Sequence, residues 1–176
     1  MTTDEEQIVW QGRFVVAKTR GKWEYVSRAR NIRAAVILAV EDGHVLLVEQ
    51  FRVPLGRVCI ELPAGLIGDD DGADDESAES AARRELEEET GYRAARIEMI
   101  GEFWSSPGMV TESFALLRAS GLTEVGPGGG TPGEDITVHR VALDGLEEFL
   151  AARRVMGNAI DVRLLTLLGP RILEGC

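Results

Sequence analysis

Residues 77–91 read Ser-Ala-Glu-Ser-Ala-Ala-Arg-Arg-Glu-Leu-Glu-Glu-Glu-Thr-Gly, and this stretch decides the fold. Most of these residues are strong helix formers, and Gly91 suits the position after a helix end, so the pattern predicts a helix over 77–90. Offsets of three and four residues place Glu85, Glu88 and Glu89 on one face of this helix. Like charges at that spacing cost roughly 0.2–0.5 kcal/mol per pair, so the face is either fully solvated or binds cations.

The kind of cation follows from the donor atoms. Carboxylate oxygens suit a hard divalent ion such as Mg²⁺ or Mn²⁺. The chain has two histidines, His44 and His139, which fall on separate predicted strands, and its two cysteines, Cys59 and Cys176, form no paired motif. A zinc site is therefore not expected.

Strand and turn signals surround the helix. Two apolar runs, 33–40 and 44–51, flank Glu41-Asp42-Gly43, and an Asp-Gly pair between such runs indicates a hairpin. Further strands are predicted at 8–18, 22–29, 58–62, 94–104, 112–118 and 136–143, loops at 63–72 and 126–133, and helices at 145–153 and 158–168. Asn158 is the predicted N-cap of the last helix. The mixture predicts one α+β domain with an N-terminal antiparallel β extension.

Charge excludes several functional classes. The 176 residues include 30 acidic and 19 basic ones, for a net charge of −11, which disfavours nucleic acid as a partner. Eleven acidic and two basic residues lie in 69–89, which therefore carries −9 of this charge. We expect no membrane association, because the sequence shows neither a run of about 18 apolar residues nor a signal-peptide pattern. Two cysteines form no disulfide framework, so the expected compartment is the cytoplasm.

The order Arg84-Glu85-Leu86-Glu87-Glu88-Glu89-Thr90-Gly91-Tyr92 resembles the Nudix box. In that motif a glycine, five residues, a glutamate and seven residues precede Arg-Glu-aliphatic-x-Glu-Glu-x-Gly-aliphatic. Glu76 stands at the required distance before Arg84, and Gly65 is the leading glycine. Ten residues, 66–75, separate Gly65 from Glu76 instead of five, and Tyr92 replaces the final aliphatic residue. An insertion in a solvated loop costs little, so the match stands.

The resemblance implies an α/β/α Nudix sandwich, spanning 32–176, that hydrolyses a nucleoside diphosphate linked to another group. It also implies a Mg²⁺ or Mn²⁺ site formed by Glu85 and Glu89, with Glu88 as a secondary ligand and the Ala64 carbonyl as an additional one. Arg84 is expected to orient the glutamates through a salt bridge. Bound cations would neutralise charge on the pyrophosphate and activate a water molecule.

Further motifs resemble the ADP-ribose pyrophosphatase branch of the family. They are Gln50-Phe51-Arg52, Glu61-Leu62-Pro63-Ala64-Gly65, and Ser106-Pro107-Gly108 with Glu112 after it. In that branch residues 1–31 would form a β extension exchanged between the subunits of a homodimer. The residues that the resemblance places near a nucleotide-sugar substrate are Arg52, Arg28, Trp23, Glu24, Phe14, Ser106 and Glu112. Aromatic faces suit a purine and arginine suits phosphate, although strand packing explains Trp23 and Phe14 equally well.

The residue that activates water is expected in the loop before a late strand. Glu134 is the candidate there, and the adjacent Asp135 is the alternative. With Glu88 and Arg84, Glu134 completes the expected catalytic set. The sequence thus predicts a metal-dependent enzyme that cleaves ADP-ribose, or a related nucleotide sugar, to AMP and ribose 5-phosphate. Hydrolysis of GDP-mannose, NADH or a dinucleoside polyphosphate, a non-hydrolysing ADP-ribose sensor and an acidic interaction protein are the alternatives.

Overall fold

Strand β4 (Ala34–Glu41) organises the fold because its side chains enter two separate hydrophobic cores in alternation. Ala35, Ile37 and Ala39 face one core and Val36 faces the other, all fully buried. These observations come from a computed structural model, which describes residues 5–68 and 76–174.

Eleven strands and three α-helices are present in the described residues. The strands besides β4 are β1 (Gln7–Gln11), β2 (Val15–Arg20), β3 (Trp23–Arg28), β5 (His44–Arg52), β6 (Arg57–Glu61), β7 (Ala64–Leu66), β8 (Tyr92–Trp104), β9 (Ser113–Glu124), β10 (Thr137–Ala142) and β11 (Ala159–Ile160). The helices are α1 (Ala78–Thr90), α2 (Leu146–Val155) and α3 (Leu165–Glu174). Short 3₁₀ turns cover 29–31, 53–55, 143–145 and 162–164.

The eight later strands form a mixed sheet with two parts. In one part β4 pairs parallel with β9 and antiparallel with β7, and β9 pairs antiparallel with β8. In the other part β5 pairs antiparallel with β6 and β10, while β11 lies parallel to β6. The hairpin between β4 and β5, whose turn is the predicted Asp42-Gly43, joins the two parts.

Helices cover both faces of this sheet. Helix α1 buries Ala81, Ala82 and Leu86 in the first core. Helices α2 and α3 contribute Leu150 and Leu168 to the second. The predicted α+β fold with helices on both sides is therefore confirmed. None of the described helices is long and apolar enough to cross a membrane.

The N-terminal residues form a separate antiparallel sheet in the order β1-β2-β3. Its β3 edge attaches to the loop after β8, where Val26 N–H donates to Met109 O at 2.9 Å and Val26 O accepts from Thr111 N–H at 3.0 Å. The predicted β extension is thus present. Its outer surface exposes large apolar side chains, namely Ile8, Val9, Trp10, Phe14 and Trp23.

Three local predictions are wrong. Residues 158–168 do not form one helix, because Ala159–Ile160 pairs with β6 and Asp161, not Asn158, caps the 3₁₀ turn that follows. The predicted strand 8–18 is divided by a turn, in which Gly12 N–H donates to Val15 O at 2.9 Å. The predicted loop 63–72 contains strand β7. Residues 69–75, most of the unmatched segment 66–75, lie outside the described part of the chain.

Helix α1 has the predicted ends. The Ser77 side chain accepts a hydrogen bond from Ser80 N–H at 3.1 Å, and Gly91 has a φ of +74° with its N–H bonded to Glu87 O. Gly91 is also closely packed, since a Cβ there would lie 2.1 Å from the carbonyl oxygen of Gly126. The glycine is required both for its backbone angle and for the approach of the 126–130 loop.

Gly91→Ala should therefore destabilise the protein more than Gly56→Ala does. Gly56 has a similar φ of +62° but open space around a Cβ, so this control isolates the backbone cost, about 1–2 kcal/mol. Gly91→Ala adds a clash with backbone atoms, and we expect at least about 1 kcal/mol more. Urea denaturation measures both changes, and equal losses would contradict the packing argument.

Candidate active site

Helix α1 presses two glutamates against strand β7. Glu89 is 5% exposed, and its Oε2 accepts a hydrogen bond from Ala64 N–H at 3.0 Å. Glu85 lies over Gly65, where an added Cβ would stand 1.8 Å from the Glu85 carboxyl carbon. Any side chain at residue 65 would displace Glu85, so Gly65 is part of the cradle that seats this carboxylate.

Arg84 ties the helix to the strand and to Glu76. Its Nη1 contacts Glu85 Oε1 at 2.7 Å and Glu88 Oε2 at 3.4 Å, while its Nη2 donates to Leu66 O at 3.2 Å and to Glu76 Oε2 at 3.3 Å. Glu76 Oε2 also accepts from Gly68 N–H at 3.0 Å. This bond joins the two ends of the unmatched segment, so the motif residues meet despite the extra length.

Burial shapes the charge of these carboxyls. Burial raises the pKa of Glu89 to about 8, and the hydrogen bond from Ala64 N–H opposes this rise. The negative charges of Glu85 and Glu134 add to it. Burial likewise raises the pKa of Glu85, although the Arg84 guanidinium opposes it. Burial and mutual repulsion disfavour the charged forms of these two neighbouring carboxyls. A cation bound between them would offset both effects, so the site would favour cation binding.

The glycine-rich loop brings Glu134 toward these glutamates. Gly129 N–H and Gly130 N–H donate to the carbonyl oxygens of Glu89 and Glu88 at 2.8 and 3.0 Å, so the loop caps the end of α1. The Glu134 carboxylate accepts from both N–H and Oγ1 of Thr131, at 2.6 and 2.9 Å. The predicted absence of regular structure in this loop is correct, yet its position is fixed by hydrogen bonds.

The oxygen donors suit a divalent cation, although they do not already form a closed cage. Within 5–68 and 76–174, no group of three or more acidic, histidine or cysteine side chains has the geometry of a metal site. The buried Glu89, the partly buried Glu85 that repels it and the nearby Glu134 nevertheless offer only oxygen donors. Gly65 leaves room for the Glu85 side chain among them. That chemistry fits Mg²⁺ or Mn²⁺.

These glutamates lie in a cleft of about 770 Å³. Other predicted site residues also line the cleft: Arg28, Arg52, Ala64, Arg84, Glu112 and Glu134. Arg28 Nε contacts Glu112 Oε1 at 2.5 Å, joining β3 to the segment before β9. The structure therefore gathers both predicted substrate arginines and four predicted acidic residues at one surface: Glu85, Glu89, Glu112 and Glu134. Glu88, whose side chain is 40% exposed, is not among the described residues that line the cleft.

Three further charged residues line the cleft, and the sequence reasoning missed all of them as site residues: Glu61, Asp161 and Arg163. Glu61 is 3% exposed and contacts Arg52 through both carboxylate oxygens, at 2.6 and 3.0 Å. The available signal is a charged residue at the end of an apolar strand, two positions before Pro63. For Asp161 and Arg163 the sequence predicts a helix, where the structure has a strand followed by a 3₁₀ turn.

Four predicted substrate residues are not among the described residues that line this cleft: Trp23, Glu24, Phe14 and Ser106. Trp23 borders a separate cavity of about 380 Å³ with Tyr25, Pro107 and Gly108. Phe14 and Glu24 lie exposed on the N-terminal sheet, and the Arg13 guanidinium stands 4.9 Å from the Phe14 ring centroid. Ser106 forms a turn, its carbonyl accepting from Met109 N–H and Val110 N–H.

Cys59 also lines the cleft, but its thiol is not a nucleophile. Burial raises the pKa of Cys59 to about 12, with the charges of Glu61 and Asp161 adding to the rise. The reactive form of cysteine is the thiolate, and a thiol with this pKa stays protonated near neutral pH. The chemistry of the cleft therefore depends on its carboxylates and arginines.

Residues 29–159 match the Nudix domain model. The chain belongs to the Nudix family. An uncharacterized Nudix hydrolase of Schizosaccharomyces pombe is 35% identical over a 181-residue alignment that covers 93% of this chain and 82% of that protein. The ADP-ribose pyrophosphatase of Bacillus subtilis is 39% identical over 89 residues, covering 51% of this chain and 45% of that enzyme.

The Nudix fold is also seen in a solved structure. The crystal structure of an ADP compounds hydrolase superposes with a TM-score of 0.70, covering 99% of this chain and 94% of that one at 23% identity. At this identity the likeness shows the fold alone. The predicted membership of the Nudix hydrolase enzymes is confirmed by the domain match and the relatives.

Replacing Glu89 by glutamine should stabilise the metal-free protein at alkaline pH. The pKa of Glu89 rises from 4.5 to about 8 on folding, so the stability associated with its protonated form is complete below pH 4.5 and lost as pH rises to 8. Glu89→Gln removes this loss, and we expect a gain on the order of 1–3 kcal/mol at pH 8.5 that vanishes near pH 4.5.

Urea denaturation in EDTA at both pH values measures the effect. Glu79→Gln, at an exposed position of the same helix, is the matched control and should change stability by less than about 0.5 kcal/mol at either pH. An equal gain at both pH values would show that burial of the Glu89 charge is not the cause.

Proposed function

We propose that this Nudix hydrolase cleaves the pyrophosphate of ADP-ribose, or of a related nucleotide sugar, to AMP and ribose 5-phosphate with Mg²⁺ or Mn²⁺. The observation that carries the proposal is the cleft itself, in which buried carboxylates on α1 stand beside Arg52 and Arg28. A pyrophosphate needs both cations and arginines around its oxygens. The name of the Bacillus subtilis relative supports ADP-ribose as the substrate.

Glu85 and Glu89 would bind the cation, with Glu88 and the Ala64 carbonyl as additional ligands. A bound divalent cation supplies charge neutralisation on the phosphates and a more acidic water molecule. Arg84 is a positioning residue for this set, because its guanidinium contacts Glu76, Glu85 and Glu88 at once. Gly65 leaves room for the Glu85 side chain, because a Cβ at residue 65 would clash with the Glu85 carboxyl group.

Arg52 and Arg28 would contact the substrate. The Arg52 guanidinium is 39% exposed at the cleft while two of its N–H groups bond to Glu61, so the remaining donors are available to phosphate or ribose oxygens. Arg28 is oriented by Glu112, whose carboxylate is a candidate for ribose hydroxyls. Arginine presents a planar set of donors, which suits such oxygen-rich groups.

Glu134 would accept the proton of the attacking water. Its carboxylate lines the same cleft as Glu85 and Glu89 and adds to the raised pKa of each, which supports this role. Thr131 donates to only one of its oxygens, Oε2. Asp135 is exposed, has a φ of +49°, and is not among the described residues lining the cleft, so Glu134 is the better base.

A homodimer would complete the substrate site. Trp23, Phe14 and Glu24 lie on the N-terminal sheet outside the cleft, and that sheet exposes an apolar surface of the kind that marks protein interfaces. Exchange of residues 1–31 between two copies would bring these side chains to the partner's cleft. Buried Cys59 is a free thiol, which agrees with the reducing cytoplasm as the compartment.

A nucleotide panel tests the proposed activity. Purified protein with Mg²⁺ or Mn²⁺ is assayed on ADP-ribose, GDP-mannose, NADH and a dinucleoside polyphosphate, with products identified by chromatography. We expect AMP and ribose 5-phosphate from ADP-ribose at the highest kcat/KM, and no turnover in EDTA. Glu85→Gln is the control for contaminating activity and should lower kcat by at least about 100-fold. Faster cleavage of another compound would overturn the substrate assignment.

Glu134→Gln should lower kcat by about 10²–10⁴-fold, because a glutamine cannot accept the proton from water. Asp135→Asn is the matched control, one residue further along the loop, and should leave kcat close to that of the wild type. A larger effect at Asp135 than at Glu134 would reverse the assignment.

A further inference from the structure

A chain of charged side chains runs from the C-terminal segment to Arg52. Its centre is Glu61, at the end of β6, whose side chain is 4% exposed. Glu61 Oε1 accepts from Arg52 Nε at 2.6 Å, and its Oε2 accepts from Arg52 Nη2 at 3.0 Å and from Arg163 Nη2 at 3.1 Å. One buried carboxylate thus has two arginine partners.

Arg163 is itself fixed by Asp161. Arg163 Nε and Nη2 donate to Asp161 Oδ1 and Oδ2 at 2.7 and 2.8 Å, a bidentate pair. Asp161 cannot move freely, because its own N–H donates to Ile60 O at 3.0 Å and its Oδ1 accepts from Arg163 N–H at 2.7 Å. The short strand β11, parallel to β6, places both residues beside Glu61.

The two arginines differ in exposure. The Arg163 side chain is 19% exposed with carboxylates on Asp161 and Glu61 as partners, whereas Arg52 is 39% exposed. Arg52 is therefore the more exposed end of the chain at the cleft, and Arg163, which also lines the cleft, supports it through Glu61. Without Arg163, the buried Glu61 carboxylate has Arg52 as its remaining arginine partner. The loss of one partner favours a rearrangement of the Arg52 side chain around Glu61.

We propose that Arg163 is a positioning residue for substrate binding, acting through Glu61 to fix the Arg52 guanidinium at the cleft. Asp161 orients Arg163 for this role. Both residues follow the matched Nudix domain, which ends at residue 159, so the C-terminal segment completes the substrate site. The inference deepens the proposed function, since it rests on Arg52 contacting the substrate.

A double-mutant cycle tests this coupling. KM and kcat are measured for Arg52→Gln, Arg163→Gln and the double variant, on the panel compound that the wild type cleaves fastest. We expect Arg163→Gln to raise KM about tenfold or more, as loss of a charged hydrogen bond does, while kcat changes less than about threefold. In the double variant KM should equal that of Arg52→Gln alone, because the proposal makes Arg163 act on the substrate only through Arg52.

Equilibrium binding gives a second readout that does not depend on turnover. Calorimetric titration of the metal-free proteins with ADP-ribose, or with the preferred panel compound, should show the same non-additive loss of affinity. The compound is chosen from the panel measured with the wild-type protein. A wrong substrate assignment is therefore detected in the wild-type panel, before any variant is measured. Failure of the positioning role appears only in the variants.

Arg153→Gln is the matched control. Arg153 is 21% exposed and pairs with Glu49 at 2.9 Å, and neither residue is among the described ones lining the cleft. This variant should lose thermal stability to a similar degree as Arg163→Gln, with KM unchanged. If Arg163→Gln does not fold, Asp161→Asn replaces it in the cycle and should raise KM in the same non-additive manner.

Three results would overturn the proposal. Additive increases in KM in the double variant would show that Arg163 contacts the substrate directly. A lower melting temperature with unchanged KM in Arg163→Gln would show that the residue only stabilises the fold. An unchanged KM in Arg52→Gln would remove the group through which Arg163 is proposed to act.

Discussion

The contact between the acidic face of α1 and strand β7 is the constraint on which the rest of the site depends. Two carboxyls, the buried Glu89 and the partly buried Glu85, press against a strand, and burial raises the pKa of each. Their positions require Gly65, whose missing side chain leaves room for Glu85, and the Ala64 N–H, which donates to Glu89. The opposite side of α1 compensates through Ala81, Ala82 and Leu86, which are fully buried in the first core.

On helix α1, the carboxyls proposed to bind a cation also lower the stability of the metal-free protein, because burial disfavours their charged forms. Burying ionisable groups costs free energy unless a partner offsets it, and only part of the offset is internal, through Arg84 and the Ala64 N–H. The remainder can be supplied by a bound cation, which would stabilise the charged form that the folded protein resists. A helix with alanine or glutamine at these positions would fold more readily and lose the proposed cation ligands.

The motif on α1 was predictable because it depends on local spacing. Helix periodicity places Glu85 and Glu89 together whatever the rest of the chain does, and the capping residues Ser77 and Gly91 mark both ends. The loop residue Glu134 could be proposed only by resemblance, since its nearness to the helix depends on backbone bonds from Gly129 and Gly130 to α1. No periodic pattern encodes such a contact between distant segments.

The C-terminal part of the site could not be predicted for a different reason. Residues 158–168 have a helix-like composition, but Ala159 and Ile160 form strand β11 instead. Their pairing with the edge of β6 stabilises the strand more than local helix propensity stabilises a helix there. That pairing is a tertiary contact about a hundred residues apart in sequence, and it overrides local preference. A helix over 158–168 would not bring Asp161 and Arg163 beside Glu61, and only the pairing of β11 with β6 does so.

The unmatched spacing between Gly65 and Glu76 shows how such a motif tolerates extra length. The bond from Gly68 N–H to Glu76 Oε2 closes the base of the segment, and Arg84 joins Glu76 to the carbonyl of Leu66. Doubling the length of a closed loop costs only about 0.6 kcal/mol, so the bonds at its base suffice to keep the motif in register. The spacing that matters is therefore the one from Glu76 to Glu89, where helix geometry leaves no freedom, and this part of the motif has no insertion.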